Sequence, residues 1–304
     1  MLEAIEAAPS GSADPRWVVI HNPTAGWRRA RKLARALRRL AAMGLPVSVR
    51  RTTQRGDAER FARAAADDPT IRAVVVAGGD GTINEALNGL GGSDTPLGIL
   101  PLGTANVLAH ELAIGDGIGR SVGALRAGQA RAVRLGIVNG RRFAMMAGVG
   151  FDAWVVAAVD PRTKRRLGKG AYLVAGFRVF RRWQPRRYRV TIDGRAFVAG
   201  SAICCNGRFY GGRFVLAPAA RLDDDRLHVV LFDRAGRGAV LRYVLAMGLG
   251  LIPRMADVRV VPGRSIAIEA FDGAPEPVQA DGDIVAQLPA TIGMAAARTR
   301  VIAP

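Results

Sequence analysis

The chain is poor in the residues that build disulfide frameworks and metal clusters. Its 304 residues include two cysteines and three histidines. Cys204 and Cys205 are neighbours, where a disulfide would be strained, so we interpret them as buried thiols of a protein in a reducing cytosol. The histidines lack the spacing of metal ligands, and they are His21, His110 and His228.

Long apolar runs are missing as well. The longest weakly polar segments, Tyr243–Pro253 and Gly170–Phe177, are much shorter than the ~20 residues that span a bilayer. The N-terminal MLEAIEAAPSGSADP has no apolar stretch of the signal-peptide kind, and residues 1–15 are predicted to form a disordered tail. The sequence therefore predicts a cytoplasmic protein without a transmembrane helix.

Several familiar motifs are absent. No G-x-x-x-x-G-K-[ST] occurs, and no G-x-G-x-x-G follows the first predicted strand. A GGD triplet is present but is not followed by Glu-Phe. These absences argue against a P-loop NTPase, a Rossmann dinucleotide site and a cyclic-dinucleotide synthase.

Acidic residues are scarce relative to basic ones. The 25 Asp and Glu residues face 44 Lys and Arg residues, which gives a formal net charge of +19. Such a charge attracts polyanions, whether nucleic acid, an anionic membrane surface or a nucleotide. Charge alone does not choose among these partners.

The first part of the chain alternates short apolar runs with helical patterns from Arg16 to about residue 130. This alternation predicts an α/β domain whose parallel sheet is built from right-handed crossovers. We expect residues 291–304 to complete this domain.

The second part, residues 131–290, is rich in β-branched, alternating segments and predicts a mainly antiparallel β domain. Asn139-Gly140 and Asp193-Gly194 lie between such segments and predict hairpin turns. Helical patterns near Asp152–Arg182 and Gly236–Ile252 predict inserted helices.

One glycine-rich turn stands out in the segment VVVAGGDGTINEALNGL, residues Val74–Leu90. An apolar strand stops at Gly78–Gly81 and a helical pattern follows, an arrangement in which backbone N–H groups bind phosphate. Thr82 and Glu85 have the spacing of a capping box. Asp80 does not suit a bare phosphate site, because its carboxylate repels phosphate unless it meets a metal or a proton-bearing hydroxyl.

Two more turns of this kind follow other predicted strands. They are HNPTAG, His21–Gly26, and LPLGTANVLA, Leu100–Ala109. Parallel strands present their C-terminal ends at one edge of the sheet, where ligands usually bind. Three such turns at one edge predict a nucleotide site.

These turns and three later segments together resemble the diacylglycerol kinase catalytic-domain superfamily. The motifs are NPTAG, GGDGTINE, LPLGTANVLA, GVGFDA, NGRFYGGRFVLAPAARLDDDRLHVV and QADGDI, in that order from about residue 17 to 295. The likeness is to its bacterial soluble lipid kinases, with sphingosine and ceramide kinases as relatives. It implies an ATP-dependent lipid kinase with an N-terminal Rossmann-like parallel α/β domain, a C-terminal antiparallel β-sandwich-like domain and an active site between them.

The resemblance also implies residue roles. Asp80 would lie beside the ATP phosphates and their Mg²⁺. The residues implied to bind the nucleotide are Asn22, Pro23, Thr24, Ala25, Gly26, Thr52, Gly78, Gly79, Asp80, Gly81, Thr82, Ile83, Asn84, Glu85 and Thr104.

For the catalytic step, Asp281 of ADGD resembles the family's base, which takes the proton from the lipid hydroxyl. Asp283 stands where the family usually has glutamate, and this leaves its catalytic role open. Without the resemblance, ADGD is interpreted as a hairpin turn.

Two further positions carry roles in the family. Relatives hold a structural Mg²⁺ near LDDDRL, here through Asp224 and the carbonyl groups of Arg221 and Arg226, although a plain charged turn is equally consistent. Asp152 resembles the position that meets the polar head of the lipid, with a helix N-cap as the alternative.

Two basic clusters suggest how a lipid kinase meets a membrane. The first predicted helix has Leu33, Leu37 and Leu40 at helical spacing, and its cations are interpreted as a solvated face. These cations are Arg28, Arg29, Arg31, Lys32, Arg35, Arg38 and Arg39. The segment Pro161–Arg187 mixes cations with aromatic residues and is predicted to contact an anionic membrane surface. The aromatic residues are Tyr172, Phe177, Phe180 and Trp183.

Alternative functions stay open at this point. NAD kinases also use a GGDGT loop before a β domain, and a catalytically weak lipid-binding regulator is compatible with Asp283. A basic nucleic-acid-binding protein would explain the charge, but no helix-turn-helix or RNA-binding aromatic signature is visible, so we expect no nucleic-acid partner. Diacylglycerol is the first expected acceptor, with ceramide, a sphingoid base and phosphatidylglycerol as alternatives. The sequence does not indicate an oligomeric state.

Overall fold

A computed structural model describes residues 16–23, 27–45, 47–160, 163, 168 and 170–304, without the side chains of residues 16 and 27–29. The predicted tail, residues 1–15, lies outside this part of the chain. Two compact units are formed: one by the residues up to Val133 together with Ala297–Pro304, the other by Arg134–Ala296. The borders predicted at residues 130 and 291 lie a few residues earlier.

The first unit contains a six-stranded sheet. Its strands, numbered in chain order and given in spatial order, are β2 (Val47–Arg51), β1 (Arg16–His21), β3 (Ile71–Gly78), β4 (Leu97–Pro101), β20 (Thr299–Ile302) and β5 (Ala130–Val133). Strands β1 to β4 pair in parallel, which confirms the α/β prediction. Strand β20 adds to β4 in parallel and β5 closes the edge in the antiparallel sense.

Helices connect these strands. They are α1 (Trp27–Ala42), α2 (Asp57–Ala66), α3 (Asp80–Leu90), α4 (Val107–Glu111) and α5 (Ile118–Ala127). Helix α1 buries Leu33, Leu37 and Leu40 in the core beside the sheet, as its spacing predicted. Its described cations are exposed or half-buried: Arg31, Lys32, Arg35, Arg38 and Arg39.

Helices α2 and α3 pack closely at Gly89. A Cβ atom there would lie 2.2 Å from the Glu59 carbonyl oxygen and 2.9 Å from the Ala62 Cβ. A side chain at this position therefore pushes the two helix backbones apart.

We expect Gly89→Ala to lower the free energy of unfolding by ~1–3 kcal/mol, the usual cost of overpacking. The matched control is Gly123→Ala in α5, where a Cβ would meet nothing within 4 Å. That change removes a helical glycine without a clash and is expected to stabilise by up to ~1 kcal/mol. Urea unfolding of both variants checks this, and equal stabilities would contradict the packing argument.

The second unit is a sandwich of two six-stranded antiparallel sheets. The first has the order β10 (Arg195–Ala199), β9 (Tyr188–Ile192), β16 (Ser265–Ala270), β19 (Ala290–Met294), β6 (Gly136–Val138) and β7 (Arg141–Phe143). The second has the order β15 (Val258–Gly263), β14 (Leu227–Phe232), β11 (Ser201–Cys205), β8 (Met146–Val149), β17 (Pro277–Ala280) and β18 (Asp283–Gln287). A small pair, β12 (Phe209–Tyr210) and β13 (Phe214–Val215), lies outside both sheets.

Two predicted hairpin turns connect neighbouring strands of this unit. Asn139-Gly140 and Asp193-Gly194 have positive φ angles and join adjacent strands, so both predicted hairpins are confirmed. The core lies between the sheets and includes Tyr188, Val229 and Ile266. Cys204 and Cys205 are free and buried.

The described residues of the second unit include the inserted helices α6 (Phe151–Ala157), α7 (Gly170–Arg182) and α8 (Arg237–Gly248), followed by a 3₁₀ turn, Ile252–Arg254. The helical stretch predicted near Asp152–Arg182 contains both α6 and α7, and it is interrupted because α6 ends at Ala157 and Val159 and Asp160 are not helical. In the part of the chain that is described, no helix is long and apolar enough to cross a membrane.

Candidate functional site

The three glycine-containing turns of the first unit contact one another. Asn22, after β1, donates its side-chain N–H to the Thr82 hydroxyl at 3.2 Å. Gly79 approaches the turn after β4, since a Cβ on Gly79 would lie 3.1 Å from the Gly103 Cα. The sheet edge therefore brings together the turns in which the sequence predicted a nucleotide site.

Thr52, at the end of β2, adjoins the same edge. Its backbone N–H and its hydroxyl both bond to the His21 carbonyl oxygen, at 2.9 and 3.4 Å. Pro23 and Thr104 are exposed in neighbouring turns. The predicted nucleotide residues Thr24, Ala25 and Gly26 lie outside the described residues.

Asp80 begins α3 and connects it to the turn after β4. Its Oδ1 accepts the backbone N–H of Val107, the first residue of α4, at 2.7 Å. Burial raises the pKa of the Asp80 carboxyl, although backbone N–H groups led by that of Val107 act in the opposite direction. The fold thus keeps a carboxylate where its ionised form is costly, which is typical of functional sites.

Asn106 is a second polar residue of this edge, and the sequence reasoning assigned it no role. Its backbone is left-handed, with φ 49°, and its Nδ2 donates to the Gly103 carbonyl oxygen and to Asp116. Its Oδ1 is buried and has no hydrogen-bond partner. An unpaired buried acceptor is costly, so this oxygen suits a ligand donor or a hydrated cation.

Three of the predicted nucleotide residues, Ile83, Asn84 and Glu85, make contacts within the first unit. Ile83 is buried in the core, and Asn84 Oδ1 accepts the side-chain N–H of Asn88. The capping box expected for Thr82 and Glu85 is wrong. Gly79 is the N-cap of α3, and Glu85 accepts the backbone N–H of Ala58 at the start of α2.

In the second unit, Asp281 and Gly282 form the hairpin turn between β17 and β18, with φ angles of 48° and 84°. The Asp281 carboxylate also accepts three backbone N–H groups from the start of β8 and the two residues before it. The donors are Ala144 at 2.6 Å, Met145 at 2.9 Å and Met146 at 3.1 Å. These bonds fix the direction of the carboxylate and compensate its charge.

Gln279 links this turn to Asp152, and it is another residue that the sequence reasoning did not single out. Its Oε1 accepts the backbone N–H of Gly282 at 3.1 Å, and its Nε2 donates to Asp152 Oδ2 at 3.1 Å. Gly148 makes room for the pair, because a Cβ there would lie 2.5 Å from Asp152 Oδ2. One buried amide therefore connects the Asp152 carboxylate to the hairpin turn that contains Asp281.

Asp152 lies in the first turn of α6. The N-cap interpretation is wrong, because the N-cap is Gly150. Burial raises the pKa of Asp152 to about 7, and the hydrogen bond from Gln279 offsets only part of this effect. Its Oδ1 is buried without a hydrogen-bond partner. A carboxyl group whose pKa is near 7, with one oxygen that has no hydrogen-bond partner, can accept a hydrogen bond from a polar ligand or donate one to it.

A buried network holds α6 in place. Glu276, only 2% exposed, accepts the Trp154 indole N–H at 2.7 Å and the Tyr188 hydroxyl at 2.9 Å. It also pairs with Arg186. This network ties the helix that carries Asp152 to the sandwich.

Basic side chains lie close to the Asp224 carboxylate of the LDDDRL turn. Asp224 lies 3.9 Å from the Arg226 guanidinium and 3.7 Å from the His228 ring, and its Oδ1 accepts the Asp225 N–H. The Arg221 carbonyl accepts the Asp224 N–H. These contacts are those of an ion-paired turn, and a structural Mg²⁺ at Asp224 and the Arg221 and Arg226 carbonyl groups stays a prediction. Across the described ranges, no group of three or more His, Cys, Asp or Glu side chains is arranged to hold a metal.

Asp283 begins β18, where it pairs with Ala280 across the turn and is half-buried. It lies beside Asp281 in the hairpin. This position is compatible with the catalytic role predicted for it but does not define that role.

Comparison with known protein families matches both units. Residues 16–138 match the family described as diacylglycerol kinase catalytic domain. Residues 145–303 match the YegS C-terminal NAD kinase beta sandwich-like domain. The chain belongs to this family of bacterial lipid kinases. It is an ATP-dependent phosphotransferase that acts on a lipid, as the motifs predicted.

Individual relatives agree with this assignment. The kinase is 32% identical over 230 residues to a diacylglycerol kinase of Bacillus subtilis (strain 168), covering 74% of this chain and 76% of the relative. It is 34% identical over 210 residues to the "Probable lipid kinase YegS" of Shigella flexneri, covering 66% and 69% of the two chains. A crystal structure of a diacylglycerol kinase from Bacillus anthracis str. Sterne has the same fold, with a TM-score of 0.77, 24% identity and coverage of 97% and 99%.

The raised pKa of Asp152 predicts a pH-dependent stability difference. The pKa of Asp152 is about 7 in the folded kinase, whereas its ordinary value is 3.8. The folded state therefore binds this proton more tightly than the unfolded state, and the free energy of unfolding falls as pH rises from about 4 to 7. The neutral Asp152→Asn variant escapes this loss, so it should be more stable than the unmodified kinase at pH 8 by up to a few kcal/mol.

Thermal unfolding at pH 5 and pH 8 measures the effect. The stability advantage of Asp152→Asn should grow between these pH values, whereas the exposed control Asp94→Asn should show no such growth. An advantage that does not change with pH would contradict the burial of an ionisable carboxyl group.

Proposed function

We propose that the kinase transfers the γ-phosphate of Mg²⁺-bound ATP to the hydroxyl group of a diacylglycerol-like lipid. The observation that carries this proposal is the Asp281 carboxylate, whose direction is fixed by three backbone N–H groups. Gln279 connects the turn that contains Asp281 to Asp152, through the Gly282 backbone N–H. The names of the Bacillus subtilis and Staphylococcus carnosus relatives, both diacylglycerol kinases, support this acceptor.

The nucleotide is proposed to bind at the edge of the first sheet. The N-terminus of α3 and the glycine turns offer backbone N–H groups for its phosphates. Asp80 Oδ1 and Asn106 Oδ1 are hard oxygen donors in adjoining turns, which suits Mg²⁺ and its water ligands. When bound, Mg²⁺ would neutralise charge on the phosphate oxygens.

Asp281 is proposed to orient the acceptor and to take its proton. The lipid oxygen bonds to the γ-phosphorus as the bond to the departing ADP oxygen breaks, and the hydroxyl proton passes to Asp281. Such transfers have loose transition states that require little proton withdrawal before the bond forms. A carboxylate held by backbone N–H groups is well placed for this task because its direction is fixed.

Asp152 is proposed to hold the polar head of the lipid. Its buried, unpartnered Oδ1 lacks the hydrogen bond that a second hydroxyl or an ester group of the lipid would supply. Retention of a destabilising buried carboxyl group fits a role in binding better than a role in folding.

Helix α7 is proposed to contact the membrane that contains the acceptor. Leu173 is 77% exposed and Phe177 is 64% exposed, and Arg178, Arg181 and Arg182 are exposed nearby on the helix. Apolar side chains beside arginines suit an anionic interface. The predicted contribution of Trp183 is wrong, because its ring is buried and its Nε1 donates to the Ala235 carbonyl at 2.8 Å.

Initial rates with a panel of acceptors test the choice of lipid. Diacylglycerol, ceramide, a sphingoid base and phosphatidylglycerol are compared in mixed micelles of one detergent, with the unmodified kinase and with Asp152→Asn. The highest kcat/KM for diacylglycerol, lowered by the substitution, supports the proposal. A preference for the sphingoid base would replace the proposed hydroxyl partner of Asp152 with an ammonium group.

A further inference from the structure

Helix α8 carries apolar side chains on two faces, of which one is in the core. On the inner face, Val240, Tyr243 and Ala246 are buried. The outer face exposes Leu241, Val244, Leu245 and Leu249, with Leu245 59% and Leu249 73% exposed. Helices that are apolar all round are normally buried, so this outer face lacks the cover that its composition requires.

The chain segment that carries this face has only positive charges. The sequence between Asp233 and Asp257 contains no Asp or Glu and four arginines. Arg237 and Arg254 are exposed, whereas Arg234 and Arg242 pair with Asp257. Leucines bordered by arginines complement an anionic lipid surface, where acyl chains take the apolar groups and lipid phosphates take the cations. A second copy of this chain would instead bring arginines against arginines.

The start of α8 is joined to the end of α7. The Trp183 indole N–H donates to the Ala235 carbonyl at 2.8 Å, and the Arg237 guanidinium donates to the Trp183 carbonyl at 3.0 Å. The ring of Trp183 also packs edge-on against Phe151. Two helices with exposed leucines and arginines are thus held to one framework.

We propose that the outer face of α8, with Leu251 in the turn that follows, is a second membrane-docking surface and that its occupant is an anionic bilayer. This inference rests on the proposed function, because a kinase whose acceptor lies in a bilayer must bind that bilayer during transfer. Arg237 and Arg254 then contact lipid phosphates, while Leu245 and Leu249 enter the acyl region. Docking through two helices restricts rotation of the second unit on the membrane more than docking through α7 alone.

The test measures binding to vesicles of phosphatidylglycerol and phosphatidylcholine by sedimentation. We expect the double variant Leu245→Gln, Leu249→Gln to bind about tenfold or more weakly than the unmodified kinase. The matched control replaces two exposed apolar residues elsewhere in the unit, Val198→Gln and Phe271→Gln, and should bind normally. Equal vesicle binding by the double variant and the control would overturn the proposal.

A second variant keeps the test independent of lost solubility or altered folding. The emission of the tryptophan introduced by Leu249→Trp is obtained as the difference from the unmodified kinase, which has four tryptophans. This emission should shift to the blue when anionic vesicles are added and much less with vesicles of phosphatidylcholine alone. An unchanged emission spectrum overturns the proposal. So does an unmodified kinase that sediments as a dimer and is made monomeric by the double substitution, because the face would then join two copies.

Activity on a short-chain, water-dispersed diacylglycerol separates this inference from the function on which it rests. The double variant should phosphorylate that acceptor at the rate of the unmodified kinase, which supports a docking role. Loss of this activity in the double variant would contradict a docking role. Absence of transfer by every variant, together with weakened vesicle binding, would reject the acceptor and leave the docking surface supported.

Discussion

Asp281→Asn is expected to lower the rate of lipid phosphorylation by ~10²- to 10⁴-fold, the range of general acid–base contributions. ATP binding should not change, because Asp281 belongs to the second unit and the glycine turns belong to the first. The amide cannot accept a proton from the lipid hydroxyl at neutral pH. Initial rates and titration with a non-hydrolysable ATP analogue measure the two quantities.

The same substitution also has a structural cost. The carboxylate accepts Ala144 N–H on one oxygen and Met145 and Met146 N–H on the other. In asparagine, the NH₂ group must face at least one of these donors, which costs ~1–3 kcal/mol for an unsatisfied buried group. Some loss of stability is therefore expected together with the loss of rate.

Asp193→Asn is the matched control for that cost. Asp193 also begins an Asp-Gly hairpin turn in the second unit, and its carboxylate accepts the backbone N–H groups of Arg264 and Ser265. This control should lose stability but retain its transfer rate below its unfolding temperature. Transfer by Asp281→Asn at the unmodified rate would reject Asp281 as the proton acceptor.

Asp80→Asn is expected to lower the rate of ATP-dependent transfer by ~10²-fold or more, a size typical of one electrostatic contact at a reacting centre. The amide oxygen can still accept the Val107 N–H, so the start of α4 is preserved. The lost negative charge weakens the hold on Mg²⁺, and the rate should therefore require a higher Mg²⁺ concentration. Burial raises the pKa of Asp80, which means that its ionised form destabilises the fold. The neutral Asp80→Asn variant should therefore unfold at a temperature equal to or higher than that of the unmodified kinase.

Rates measured across a range of Mg²⁺ concentrations test this expectation. The control is Asp68→Asn, at the turn before β3, where the carboxylate also accepts a backbone N–H, that of Thr70. It lies at the opposite end of the strand from the glycine turn and should keep the Mg²⁺ dependence of the unmodified kinase. An unchanged Mg²⁺ dependence in Asp80→Asn would remove Asp80 from the nucleotide site.

Local sequence chemistry predicted much of the fold. Asn139-Gly140 and Asp193-Gly194 predicted their turns because left-handed backbone is needed there and these residues adopt it easily. The alternation of strand and helix patterns predicted the parallel sheet. The glycine turns follow the C-terminal ends of its strands, which predicted that they would lie together at one edge of the sheet. These signals lie within short segments and need no knowledge of distant contacts.

The contacts that complete the candidate site could not be predicted in this way. Gln279 meets Asp152 only because β17 pairs with β8, and the sequence gives no local pattern for that pairing. Glu85 had the spacing of a capping box, but packing of α3 on α2 directed it to Ala58 instead. Helix α8 was predicted as a helix, yet an all-round apolar pattern does not indicate which face remains uncovered.

Transfer of labelled γ-phosphate tests the central claim most directly. The kinase and Asp281→Asn are incubated side by side with γ-labelled ATP, Mg²⁺, diacylglycerol in mixed micelles and NAD⁺, and the products are separated by chromatography. The account predicts label in the lipid product with the unmodified kinase and almost none with Asp281→Asn. Label in NAD⁺ instead of lipid, or equal lipid labelling by both proteins, would contradict it.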